Sequence, residues 1–583
     1  MIPTPVSAGE AAELVAVARG REPADVLIRG GTVVNVYSEE LLRADVAVKG
    51  GRIAAVGEGL EAQGRTPARV IDADGAYVLP GYIEPHCHPW MLYNPDTLAR
   101  AMTPRGTTAF VGELLNLQLL LSAEQVATVY RQLQRMPVRW FWGVRVAGQS
   151  SEPLDRYFPV DGLEALLAEP GVVQIAEVTA WPRVLEGDAE LLARTALAGP
   201  RGLRLDGHTA GATSSKVVGL AAAGFTADHE PISYDEALTR LRLGFHVILR
   251  HSSLRPDLDE LVPLALRDRG TARLSVTSDG AGPQWLRSEG MVDGLVRRLI
   301  RAGVPVPRAV AMATLNPATY LRLDEHLGGI APGRCADIQV LTDFDGRPPE
   351  VVMVGGQVVG MSGRLAQPWD SWQWEDVLTV GHRVDLAVAG DPASYQPPAR
   401  PGDEVPVMNF VSPGIARAAR ATAGPDGRPP GCVLAVLFTR DGSRRSSAWL
   451  ANFAPELDGM ATSFTTSGDF LVIGRDPVSM AAAARAAFTG RGGIAVVSGT
   501  QMTASVSLDI AGFMSSRPLD DVAREWEAVE EQVRQAGYPF EELLYCICFI
   551  TCDFLPDLRL TADGLLEVKT GRILVPAEDL RHQ

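Results

Sequence analysis

Six side chains able to bind divalent metals fall, in order, where a (β/α)8 barrel would set them at its mouth: His86 and His88, then Glu177, His208, His229 and Asp279. Each closes or directly follows a short apolar run. In a parallel barrel the C-terminal strand ends carry the chemistry, so residues far apart in sequence converge on one point. Four imidazoles and two carboxylates suit a pair of first-row divalent cations, Mn, Fe or Zn. Two such cations can share and activate one water. The pattern predicts a metal-dependent hydrolase.

The local reasoning differs for each ligand. In a strand, residues i and i+2 share a face, so His86 and His88 can reach one ion; the competing reading is a pair of polar loop histidines. Glu177 closes "VVQIAE", where a carboxylate is costly unless ion-paired or metal-bound. Asp206 precedes His208 by two residues and is expected to orient that imidazole. Asp279, in "LSVTSDGAG", can accept a proton from water and pass it to a leaving group; a plain turn aspartate is the alternative. The chain holds only nine histidines, so four of them at expected strand ends is a strong coincidence.

At 583 residues the chain exceeds one core, and two to four domains are expected. Residues 1–79 read as an N-terminal helix followed by short strands with turns at Gly30-Gly31 and Gly50-Gly51. Similar strands return at 328–368, so a small β-sandwich is expected from both flanks of a barrel spanning 80–327. A Trp- and Pro-rich connection, 369–406, leads to a third α/β unit, 407–583. Its clearest helix is "PLDDVAREWEAVEEQVRQAG". "LLYCICFITC", with Cys546, Cys548 and Cys552, reads as a buried strand.

The net charge of −16, from 54 basic and 70 acidic residues, argues against nucleic acid as partner. No apolar run approaches membrane-spanning length. The six cysteines lack CxxC spacing and no secretory signal precedes them, which predicts a reducing cytoplasm.

"PGYIEPHCH", "DGHTAG", "AAGFTADHE", "ATLNPA" and "GGIAPGRCADIQVL" resemble the amidohydrolase superfamily, and more narrowly bacterial adenine deaminases. "IAGFMSSRPLDDVAREWEAVEEQV" and "PDLRLTADGLLEV" resemble that family's C-terminal domain. The resemblance runs from about residue 25 to 575. It implies His86, His88 and Asp279 on one metal, His208 and His229 on another, and Glu177 bridging the two. It also implies a homo-oligomer, dimer or higher, and a small-molecule substrate. Lys216 matches a loop lysine of the family, and a solvated lysine is the competing reading.

Four segments depart from the family pattern. Glu113-Leu114-Leu115-Asn116 replaces Asp-Pro-His-Glu, and Arg250-His251-Ser252-Ser253 replaces Arg-Glu-Gly-Ser. Thr277-Ser278-Asp279-Gly280-Ala281 replaces Thr-Asp-Asp-Arg-His, and Thr466-Ser467-Gly468-Asp469 replaces His-Asp-Ser-His. These changes place Glu113, Leu115, Asn116, Arg250, His251, Ser278, Thr466 and Asp469 among the substrate-binding candidates. His251 is also expected to take an acid/base role in place of the family glutamate, beside Asp279 and Glu177. Trp181 and Trp285 could stack on a planar ring. A site built to hydrogen-bond one substrate discriminates through those partners, so the rewriting predicts an amino-substituted purine or related heterocycle other than adenine. The second reading is an amide or lactam hydrolase. A non-catalytic scaffold is the third, and the complete ligand set weighs against it.

Overall fold

The computed structural model describes residues 1–60, 66–148, 152–370, 372–374 and 381–581, and the side chains of 152 and 153 are not described. Part of the expected connection, including the end of its Trp-rich stretch, lies outside the described residues.

Eight parallel strands form the barrel: Tyr82–Cys87, Thr107–Glu113, Arg139–Val144, Val172–Val178, Arg204–Gly207, Ala227–Asp228, His246–Arg250 and Leu274–Thr277. A bridge between Cys87 and Asp279 joins the ends of the first and last strands. Both faces of these strands are covered, so the runs read as continuously apolar. The pleat still sorts them. Ile83, Ala109, Val111, Phe141, Ala227 and Ile248 cluster in the barrel interior. Their neighbours point outward against helices, where Phe110, Trp140, Trp142 and Tyr130 stack with centroids 4.8, 5.2 and 4.4 Å apart.

The two flanks of the barrel enter one nine-stranded sheet. Ile338–Leu341, after the barrel, runs antiparallel to Tyr77–Pro80, which leads into it. Arg139 at the base of the third barrel strand donates from Nη2 to Asp337 Oδ1 at 2.8 Å, tying the sheet to the barrel floor. Gly50-Gly51 turns the chain as expected, but Gly30-Gly31 does not. It lies inside the continuous strand Val26–Asn35, where the register shifts between Ile28 and Gly31. Gly30 adopts φ 72°, its N–H donates to Asp45 Oδ1 at 2.8 Å, and the pair forms a bulge. A Gly-Gly pair signals a positive φ without saying whether the strand resumes beyond it.

The third unit carries a nine-stranded sheet beginning at Glu404–Ser412, with helices Pro477–Phe488 and Leu519–Gln535. In the latter helix Leu519, Val522, Trp526, Val529 and Val533 are buried, the three-to-four spacing of a one-sided helix. The unit docks on the barrel mouth. Ser515 N–H donates to Leu92 O at 2.7 Å, and Asn94 Nδ2 donates to Ser515 O at 2.7 Å. Gln284 Nε2, on the helix after the eighth strand, donates to Glu530 Oε2 at 2.7 Å. The run expected as a buried strand is instead a helix, Leu544–Phe549. Glu542 Oε1 accepts from the Leu544 N–H at 3.0 Å just ahead of its first turn. A short, wholly apolar run has no periodicity that separates the two states.

Candidate metal centre

The six expected ligands meet at the C-terminal mouth of the barrel. His88 Nε2 lies 2.9 Å from Asp279 Oδ1 and 3.2 Å from Glu177 Oε2, and His86 Nε2 lies 3.5 and 3.9 Å from the same atoms. The other oxygen of Glu177, Oε1, is 2.8 Å from His208 Nδ1. The His229 ring stands 4.0 Å from that of His86 and 5.4 Å from that of His208. Three groups have ligand atoms close enough to share an ion: His86, His88 and Glu177; His86, Asp206 and His229; Glu177, His208 and His229. Glu177 thus joins a first-strand set to a fifth-and-sixth-strand set. Glu177 and Asp279 both adopt positive φ, 37° and 53°. That conformation is uncommon for residues with side chains and collects at functional sites.

Buried carboxylates behind the ring aim the imidazoles. Asp206 Oδ2 is 2.9 Å from His86 Nδ1, so it orients His86 and not His208 as expected. Alternation along the fifth strand turns Asp206 into the barrel toward the first strand. Glu113, expected to touch substrate, accepts from His88 Nδ1, from Trp90 Nε1 at 3.1 Å and from Leu115 N–H at 2.7 Å. It therefore fixes the His88 ring, as carboxylates behind metal-bound histidines do. Sequence reasoning missed Glu84. This fully buried acid accepts from the Ser278 N–H at 3.0 Å, the Ser278 hydroxyl at 3.0 Å and the Thr277 hydroxyl, lacing the first strand to the eighth. Burial pushes its carboxyl up to about 7.

A metal fits these atoms. His86 Nε2 and both ring nitrogens of His229 are buried without a hydrogen-bond partner, an arrangement that is costly unless something else ligates them. The protonation pattern points the same way. Burial opposes charge on His88, but Glu177, Asp279 and Glu113 pull its pKa up to about 10. Burial likewise opposes ionisation of Asp279 and Glu177. His86 and His88 hold Asp279 well below the usual carboxylate range, and Arg145 and His88 do the same for Glu177. Imidazoles that gather protons beside ionised acids stand ready to exchange those protons for a cation.

Two buried guanidiniums complete the polar ring. Arg250 Nη1 donates to Asp279 Oδ2 at 2.9 Å and pairs with Glu230. Arg145, just past the third strand, sets Nη1 2.8 Å from Glu177 Oε2. Arg145 also escaped sequence reasoning, although a charge directly after "RWFWGV" is the pattern that revealed Glu177.

A cavity of about 780 Å³ of atom-free space, partly open to solvent, lies above this ring. Of the expected substrate contacts, Glu113, Leu115, Arg250 and Thr466 line it. The others do not. Asn116 is buried outside the lining, and Ser278 is spent on Glu84. Trp181 heads the helix Trp181–Glu186 with Lys216 Nζ 5.2 Å over its ring. Asp469 accepts from Arg440 N–H at 3.0 Å inside the third unit. His251 turns away from the cavity toward Trp285, 6.2 Å between centroids, and burial pushes its pKa down to about 4. Position after a barrel strand does not fix which side of the wall a side chain takes, and Arg250 takes the inner place.

The amidohydrolase family pattern matches residues 77–359, and the adenine deaminase C-terminal domain pattern matches residues 420–572. An adenine deaminase of Moorella thermoacetica is 31% identical over 574 residues, covering 95% of this chain and 96% of its own. The chain belongs to the adenine deaminase family. An adenine deaminase of Cenarchaeum symbiosum is 29% identical over 95% of this chain and 93% of its own. Among solved structures, the β-aspartyl dipeptidase of Fervidobacterium islandicum AW-1 aligns with a TM-score of 0.48 at 18% identity, covering 59% of this chain and 99% of that one. As an adenine deaminase family member the chain is a hydrolase of C–N bonds. The family's barrel and C-terminal domain both contribute to the cavity here: His88 and Asp279 from one, Thr466 and Tyr545 from the other. No described helix is long and apolar enough to cross a membrane.

Proposed function

We propose that this enzyme hydrolytically removes the amino group of an amino-substituted purine or related N-heterocycle other than adenine itself. The ring carbon bearing the amine gains the oxygen of water, the product is the lactam tautomer, and ammonia leaves. The observation that carries this reading is the meeting of Asp279 Oδ1 and Glu177 Oε2 at His88 Nε2, 2.9 and 3.2 Å away, at the base of the cavity.

His86, His88 and Asp279 would hold one divalent cation, His208 and His229 a second, and Glu177 both. When bound, such a pair supplies a water acidic enough to attack an sp2 carbon near neutral pH. The side chains do the rest. Asp279 takes the water's proton on Oδ1 and delivers it to the departing nitrogen. Arg250, on Oδ2, holds that carboxylate ionised and fixed in orientation until the proton arrives. Asp206 and Glu113 keep the His86 and His88 rings aimed at the centre.

Arg145 favours a second reading. Its guanidinium at the cavity wall suits the oxyanion that develops when a lactam or cyclic imide carbonyl is attacked. A panel of aminoheterocycles and cyclic amides tests both. Ammonia release with exchange of –NH2 for –OH supports deamination. A product heavier by one water, with no ammonia, supports ring opening and overturns deamination.

A further inference from the structure

The cavity has two unlike halves. Its floor is charged and comes from the barrel. Its roof comes from the third unit, where Cys548, Phe549, Phe554 and Leu555 face Leu115 and Leu254 of the barrel loops. The aromatic part is contiguous: Phe549 lies 5.1 Å from Tyr545 and 6.5 Å from Phe554, centroid to centroid. Phe554 meets the His208 ring edge-on at 5.2 Å, so the apolar wall reaches down to the metal ligands themselves.

The roof's hydroxyls are already engaged. Tyr545 OH donates to the Gly280 carbonyl. Thr466 Oγ1 donates to Cys548 O at 3.3 Å and lies 3.0 Å from Thr551 Oγ1. A bare purine carries nitrogens around its whole perimeter, and each one buried against such a wall loses its water without replacement. Resting on the deaminase reading of this same site, we propose that the substrate is an aminoheterocycle bearing an alkyl or aryl group on the edge remote from the leaving amine, and that the roof formed by Phe549, Phe554 and Leu555 receives that group. Each methylene buried there adds about fourfold in affinity. The gain appears mainly in KM, because apolar contact remote from the reacting carbon is the same before and during the chemical step.

The test compares the metal-loaded enzyme on adenine, 9-butyladenine, 9-benzyladenine, 2-phenyladenine and 8-phenyladenine. At least one substituted compound should exceed adenine in kcat/KM by about tenfold or more, through KM. Phe554→Ser should remove most of that advantage; should this variant not fold, Phe554→Leu should lose the preference for aryl over butyl. Adenine equal to or better than every substituted member overturns the proposal. If no member releases ammonia, the deaminase reading falls separately. The thermal upshift caused by each compound then decides: a larger shift for substituted compounds upholds the apolar pocket, and an equal or larger shift for adenine refutes it.

Discussion

The barrel rim and the roof above it face each other across one cavity and are held together by different forces. On the rim, the ring atoms that face a metal are left free of hydrogen bonds, and the charged groups around them pair one to one. Glu113 serves His88, Asp206 serves His86, Arg250 serves Asp279, and Arg145 sits on Glu177. These contacts are directional and mostly buried, so a small displacement costs much of their value. On the roof, Phe549, Phe554 and Leu555 make contacts that depend on area and hardly on angle. The rim is built to fix one reacting geometry, and the roof is built to be remodelled. Changes on the rim should therefore appear in kcat and metal content, and changes on the roof in KM and substrate preference.

The sharpest way to break that contrast is to empty the rim. Chelation should abolish turnover, and Mn, Fe or Zn should restore it. It should also lower the thermal midpoint, because a ligand held at about 100 times its dissociation constant adds about 2.7 kcal/mol to stability. Activity that persists after metal analysis reads zero would sink the rim's catalytic role. Asp279→Asn comes next, with kcat expected to fall by about 10²- to 10⁴-fold and KM little changed. An unaltered kcat would move the proton transfer to another group.

Tyr545→Phe probes the seam between the two regions, because its hydroxyl reaches from the roof to the Gly280 carbonyl beside Asp279. Losing one neutral hydrogen bond of about 1 kcal/mol should lower kcat by roughly fivefold with metal content intact. A change confined to KM would make Tyr545 roof only.

The smallest effect belongs to His251, which lies outside both regions. Its folded pKa, about 4, sits below the ordinary 6.5. Between those values the unfolded chain binds the extra proton, so this group's contribution to stability is present above pH 6.5 and fades as pH falls toward 4. His251→Gln should flatten the fall in thermal midpoint across that window and change kcat by less than about threefold. A large loss of kcat would return His251 to the active site.

The rim was legible in the sequence because its chemistry breaks the apolar pattern. Glu177, His208, His229 and Asp279 each follow runs that could not otherwise tolerate them. Glu84 and Arg145 obey the same rule and were passed over because neither fits a recognised ligand spacing. The roof was illegible for the converse reason. Phe549, Phe554 and Leu555 look like any buried apolar residues, and nothing local says that they close over a barrel hundreds of residues away. The helix at Leu544–Phe549 was hidden in the same way, since a run buried on every side shows no period. Asn116, Ser278 and His251 illustrate a third limit. Proximity to a strand end fixes the neighbourhood of a side chain, and only its packing partners decide whether it faces the cavity.

The pairing of Ile338–Leu341 with Tyr77–Pro80 has a consequence for biogenesis. The strands before the barrel leave the ribosome long before their later partners are made, at about 5–20 residues per second. They must wait with an open edge while roughly 250 residues of barrel are synthesised, and an exposed edge invites pairing with other chains. The nascent protein therefore spends its riskiest interval with its first-made sheet unfinished, and slowed translation through the barrel would lengthen that exposure.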